Sequence, residues 1–206
     1  VGMVACAIDD NVQNHQLMLL HGAQGKGKST FIRHLLPPEL KDYYRNGMII
    51  PENNNHLLQL SSCLLINLDE FDTLSPERMQ NLKSLITQDV VNERKVYDIQ
   101  NYTYIRRASF IASTNNPHCM PDVKENRRIL FSTLLNIDYH TPVNHEGIYA
   151  QAYALYRQGF QYWYENEEIT FLNNRNEAFR QKDPIEENLF FYFRAARQND
   201  IQAQWY

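Results

Sequence analysis

The chain has 206 residues, 43% of them hydrophobic and 21% charged, with a formal net charge of -4 at pH 7. Those values exclude a disordered chain and a uniformly basic nucleic-acid binder, and they allow one core with a small appended lobe. The longest apolar runs, such as residues 64–68, are far too short for a bilayer span, so no membrane contact is expected.

The elements follow in chain order. Residues 16–21 (QLMLLH) form a short apolar run that meets a glycine-rich loop, the pattern of a buried parallel strand. Residues 29–36 then read as a helix, stopped by Pro37 and Pro38. Residues 64–68 (LLINL) predict a second buried strand that ends in Asp69 and Glu70. Ser75 followed by Pro76 starts a helix, with Met79, Leu82, Leu85 and Ile86 on one face. Residues 94–98 and 102–106 predict a hairpin, and residues 109–113 (SFIAS) a third core strand that stops at Asn115, Asn116 and Pro117. Residues 128–137 predict a fourth strand. From about Glu146 the pattern turns helical and aromatic, with Tyr149, Tyr153, Tyr156, Phe160 and Trp163 spaced as packed core. A change of lobe is placed at residues 139–146, which divides the chain into a core over 1–140 and a helical C-terminal extension over 141–206. Strands alternating with helices predict an α/β fold: a parallel sheet flanked by helices, of the P-loop NTPase type, with a helical C-terminal part.

Gly22-Ala23-Gln24-Gly25-Lys26-Gly27-Lys28-Ser29 fits G-x-x-x-x-G-K-[ST], with Thr30 next, between a strand and a helix as the motif requires. Glycines let the backbone wrap an anion and aim its N–H groups at phosphates, and the start of the helix adds a favourable dipole. Lys28 is expected to reach the β- and γ-phosphates and the Ser29 hydroxyl to ligate Mg²⁺; Lys26 is a weaker candidate contact. The expected ligands are therefore ATP, or another nucleoside triphosphate, and Mg²⁺.

Asp69, at the end of a buried strand, suits the water shell of that metal, and Glu70 suits orientation and deprotonation of an attacking water. Asp72 lies nearby, but off the strand, and receives no role. Ligands of parallel sheets collect at the carboxyl ends of strands, so Asn115 is the candidate to hold the water against the γ-phosphate. Arg127 and Arg128 precede a strand and suit a finger that stabilises phosphoryl charge across a subunit boundary, which implies a homo-oligomer or ring; the alternative is a surface pair held by Asp122 or Glu125. Arg94, Lys95, Arg106 and Arg107 flank the hairpin that carries Tyr97, Tyr102 and Tyr104. They are candidate contacts to single-stranded DNA, with an ordinary charged sheet edge as the alternative. Cys6, Cys63 and Cys119 show no CxxC or Cys/His spacing and read as buried thiols of a reducing cytoplasm. The start at Val1, without Met, reads as an excised or mature fragment, and no signal peptide is recognised.

The order GAQGKGKST, LLINLDEFD, LKSLIT, ERKVY, RRASFIASTNN, ENRRILF resembles the virulence-associated protein E (VirE/VapE-like) P-loop family over roughly residues 1 to 165. That resemblance implies kinship with superfamily 3 helicases of the AAA+ group, in phages and mobile elements, often behind a primase-like domain. It places the family's phosphate loop on Gly22, Gly27, Lys28 and Ser29, its acidic strand end on Asp69 and Glu70, its sensor on Asn115 and its arginines on Arg127 and Arg128. Lys83 and Arg94 also match positions the family fills with Lys and Arg. The family's D-x-T-G-x-R-R stretch is here Asp122-Val123-Lys124-Glu125-Asn126-Arg127-Arg128, which lacks the Thr-Gly. The expectation is an ATP-hydrolysing motor domain of a primase–helicase-like protein that acts on DNA. The alternative is a nucleotide-binding regulatory switch with weak hydrolysis and a protein partner. A small-molecule kinase fits less well, because no arginine-rich lid is visible and Glu70 beside Asp69 favours water as acceptor.

Overall fold

A strand buried on both faces of a parallel sheet needs apolar residues in succession, and the chain supplies four such runs. The computed structural model describes residues 1–50, 53–94, 101–120 and 126–181, with 185, 192 and 193 as isolated positions. Five parallel strands form the sheet: β1 (Leu17–His21), β2 (Tyr44–Asn46), β3 (Leu65–Leu68), β6 (Ser109–Thr114) and β7 (Ile129–Thr133), in the order β2-β3-β6-β1-β7. In this register Leu17 lies beside both Phe110 and Ile129, and Leu65 lies beside Ser109. Every residue of β3 and β6 is buried.

Alternation along the strands sorts the core onto two faces. Leu17, Leu19, Ile66, Leu68, Phe110 and Ala112 pack on one side. There they meet α3 (Asn54–Ser62) through Leu60, and α4 (Pro76–Thr87) through Met79, Leu82, Leu85 and Ile86. Leu20, Leu65 and Ile111 face the other side, against Ile32 of α2 (Lys28–Arg33) and Leu36 just beyond it. The N-cap of α4 is Ser75, which accepts from Arg78 N at 3.3 Å, with Pro76 at the first turn. A short N-terminal helix, α1 (Gly2–Ile8), buries Ala5 and Cys6.

The hairpin differs from the sequence reading in its first strand. It pairs β4 (Val90–Arg94) with β5 (Asn101–Ile105), with Val90 opposite Ile105 and Arg94 opposite Asn101. Val91 is fully buried, so core packing pulls the strand four residues earlier than turn chemistry alone suggested. The last core strand, β7, is shorter than expected. Its partner β1 stops at His21, where Gly22 leaves the sheet to begin the loop, and Leu134 N donates the final bond to His21 O at 2.8 Å.

The C-terminal helices correct a second expectation. No residue of α5 (His145–Arg157) is buried, and Tyr153, Phe160 and Trp163 are 48%, 50% and 46% exposed. The aromatic stripe therefore does not form packed core. The helix rests on α1 and on the segment just beyond α2, tied by Tyr149 OH to Leu35 O at 3.1 Å and by Tyr156 OH to the Asp9 carboxylate at 2.5 Å. Contact with the main core comes from α6 (Asn166–Glu177) and the residues just after it. Asn176 is buried and donates to Ile129 O at 2.9 Å, and the Phe179 ring stacks on Phe131 at 3.6 Å between centroids. All three cysteines are free and buried, and burial pushes the Cys119 thiol up to about 11. Among the described residues no helix is long and apolar enough to cross a membrane.

Candidate functional site

Strand order sets the site. Because β6 lies between β1 and β3, the carboxyl ends of all three converge on one cleft. The loop after β1 carries Gly25 at φ 76 and Gly27 at φ 81, left-handed values that a side chain would strain. Lys28 is only 7% exposed, and its ammonium uses all three protons within the protein. It donates to Gly22 O at 2.6 Å, Ala23 O at 3.0 Å and Asn115 Oδ1 at 2.7 Å. Burial lowers the Lys28 pKa, and the charges of Asp69 and Asp72 oppose that shift.

Ser29 Oγ donates to both carboxylate oxygens of Asp69, at 3.2 and 3.0 Å. Ser113 Oγ donates to the same carboxylate from the end of β6. Glu70 follows Asp69 with φ 54, a left-handed backbone on a non-glycine residue, and it lines the exposed side of the cleft. Such a conformation costs on the order of 1 kcal/mol, and here the Thr73 hydroxyl bonds Glu70 O at 2.8 Å to hold it. Gln24, Gly25, Lys26, Gly27 and Thr30 line the same cleft. The helix behind the loop has six residues, so its macrodipole is short and the positive charge at the loop comes from Lys26 and Lys28.

Three polar groups that the sequence reading left without a role belong to this edge. Ser113 orients Asp69. Asp72 accepts from Thr114 Oγ1 at 2.8 Å, which fixes the strand end that carries Asn115. Tyr139 lines the cleft so closely that a Cβ on Gly27 would run into its ring. The Asp69-Glu70-x-Asp72 spacing and the hydroxyl just before Thr114-Asn115 were visible signals for the first two; Tyr139 had none, because it comes from a loop distant in sequence.

The arginines lie elsewhere. Arg127 and Arg128 form a short turn immediately before β7, at the amino end of the strands. The five residues of β1 separate that edge from the phosphate loop by about 17 Å. Among the described residues neither arginine has a hydrogen-bond or ion-pair partner; Asp122 and Glu125 lie outside them. Their neighbours in a shallow pocket include His15, Thr87 and Trp163. Lys83 is buried on α4 and does not line the cleft.

The hairpin cations need correction. Arg106 is fully buried and donates to Gln88 O at 2.6 Å, Asn14 O at 3.0 Å and Ala108 O. It staples the hairpin to the sheet and has no face toward solvent, so it is not a DNA contact. Arg107 pairs with Asp10 and reaches Cys6 O at 3.5 Å, which commits its charge to the N-terminal helix. Arg106 turns inward because the chain must cross from β5 into the central strand β6 within three residues, whereas the Arg107–Asp10 pair stays at the surface. Tyr104 also packs against the core. Arg94 ends β4, and Lys95 and Tyr97 lie outside the described residues.

A strand–loop–helix with a buried loop lysine, facing an acidic strand end across an intervening strand, defines an α/β fold of the P-loop NTPase class. The chain belongs to the virulence-associated protein E-like domain family, whose sequence profile matches residues 1–181. No curated protein matches it. Among solved structures it is similar to the apo structure of the NrS-1 C-terminal region (305-718), at 16% identity and a TM-score of 0.48 over 86% of this chain and 39% of that one. It is also similar to an A form apo structure of the NrS-1 C-terminal region, at 18% identity and a TM-score of 0.45 over 87% of this chain and 39% of that one. The chain thus spans about two-fifths of the length of those structures.

Proposed function

We propose that this chain is the ATP-binding and ATP-hydrolysing part of a primase–helicase-like protein of phages or mobile elements. It would act in the cytoplasm on single-stranded DNA, as a homo-oligomer. One observation carries the reading: Lys28 with Asn115 and Ser29 with Asp69, drawn from three separate strand ends, form two hydrogen-bonded pairs that line the same cleft. A buried ammonium held by two main-chain carbonyls can exchange one of them for a phosphate oxygen without crossing the site.

The oxygen donors of Ser29 and Asp69 lie side by side, and a hydroxyl with a carboxylate is a set that Mg²⁺ takes while keeping several waters. When bound, Mg²⁺ would neutralise charge on the β- and γ-phosphates. Ser113 keeps the Asp69 carboxylate aimed at that position. Glu70, with no side-chain hydrogen bond among the described residues, is free to take the proton of an attacking water. Asn115 links Lys28 to the strand end nearest that water.

Arg127 and Arg128 cannot reach this chain's own phosphates, which supports their action on a neighbouring copy. The same separation favours a second reading for the isolated chain, a nucleotide-binding switch with slow hydrolysis and a protein partner. A titration with Mg-ATP, with and without single-stranded DNA, tests both. The motor reading expects turnover that rises with DNA and with protein concentration. Tight nucleotide binding with DNA-independent, negligible turnover at every protein concentration would replace it with the switch. Lys28→Ala should weaken nucleotide binding roughly 100-fold in either case, and unchanged affinity would overturn both.

A further inference from the structure

We propose that the Tyr139 ring is the platform on which the nucleobase stacks; this rests on the nucleotide reading of the cleft. The cleft encloses about 390 Å³, and among the described residues Tyr139 is its one aromatic lining residue. All the rest of the wall is glycine, hydroxyl, amide, lysine or carboxylate. Such a wall satisfies a triphosphate and a metal, but offers a purine face no apolar surface. The half-exposed ring lies against Gly27 at the mouth of the loop, and the exposed His140 ring lies beside it, 4.2 Å away between centroids. A base is a flat π-surface, and stacking on an aromatic side chain suits it whatever its identity.

The ring is also held in place before any ligand arrives. The Asp138 carboxylate accepts from His140 N at 3.0 Å, Thr141 N at 3.1 Å and Thr141 Oγ1 at 2.6 Å, closing a tight turn around Tyr139. Those bonds hold the Asp138 pKa below the ordinary carboxylate value. On one side the segment is anchored to the end of β1 by Leu134 N and His21 O at 2.8 Å. On the other, His145 Nε2 lies 2.8 Å from His34 O, and Tyr149 OH donates to Leu35 O, both just beyond α2. Both anchors attach to elements that flank the phosphate loop, so the ring and the loop keep a fixed spacing. Pre-organisation of this kind saves the cost of ordering the side chain on binding.

The test titrates the full chain with Mg-ATP and with Mg-tripolyphosphate by calorimetry, for the wild type, Tyr139→Ala, Tyr139→Phe and Tyr139→Trp. Tyr139→Ala should weaken ATP by about 5- to 100-fold and leave tripolyphosphate within about twofold. Tyr139→Phe should bind ATP as the wild type does, because stacking needs the ring and not the hydroxyl. In Tyr139→Trp, indole emission should change on addition of ATP but not of tripolyphosphate, which reads the contact even if the alanine variant folds poorly. An equal loss for both ligands, an equal gain (the ring as a gate over the phosphates) or no change in either would overturn the proposal. A wild type that binds neither ligand would instead reject the nucleotide reading beneath it.

Discussion

The two edges of the sheet are built from the same five strands, yet they carry opposite chemistry. At the carboxyl edge, Lys28 bonds Asn115, and Ser29 and Ser113 both bond Asp69. At the amino edge, Arg127 and Arg128 stand without partners among the described residues, beside half-exposed aromatics. Parallel strands explain the contrast. Loops that follow strands converge and can share a ligand, whereas loops that precede them serve mainly to start the next strand.

The sharpest way to break this comparison is to remove the amino-edge cations. Arg127→Ala combined with Arg128→Ala should keep nucleotide affinity and lower turnover by about 10³-fold or more. Mixing that variant with a Glu70→Gln chain should restore part of the activity, since each copy then supplies what the other lacks. No recovery on mixing would place the arginines outside a shared site. At the carboxyl edge, Glu70→Gln alone should spare ATP binding and reduce the rate by roughly 10²–10⁴-fold, read by steady-state phosphate release; retained turnover would remove Glu70 as the base.

A smaller effect concerns the buried arginine that joins the hairpin to the sheet. Arg106→Met should lower stability by on the order of 3 kcal/mol in urea melts, because three carbonyls lose a charged donor. DNA affinity of the folded fraction should stay unchanged, and a selective loss of DNA binding would return Arg106 to the surface. The smallest effect is a pH dependence. Burial first, then the Lys28 charge, lowers the His21 pKa from its ordinary value of 6.5. The unfolded chain therefore takes up a proton before the folded one does. His21 contributes stability that is present above pH 6.5 and is lost as pH falls toward the folded value. Replacing His21 with Gln should flatten the stability profile below pH 6.5, and an unaltered slope would assign it to other groups.

Much of the carboxyl edge was legible because its signals are local. The loop motif, the apolar run before Asp69 and the polar stop after residues 109–113 each occupy a few consecutive positions. The failures fall where a long-range contact outweighed a local pattern. Arg106 looked like a hairpin cation, but three carbonyls from separate segments enclose it. The aromatic spacing of α5 promised burial, but the helix sits on the outside of α1, where nothing among the described residues covers it fully.

Sequence by itself determined the glycine-rich loop between strand and helix, the acidic strand end, the parallel α/β class and the family, since each follows from residue type and short spacing. Only the tertiary structure decided which strand lies between the loop and the acid, that Tyr139 closes over Gly27, and that the paired arginines lie at the opposite end of the strands from the loop. Those outcomes depend on strand order and on contacts between residues as far apart as Gly27 and Tyr139, which no local spacing encodes.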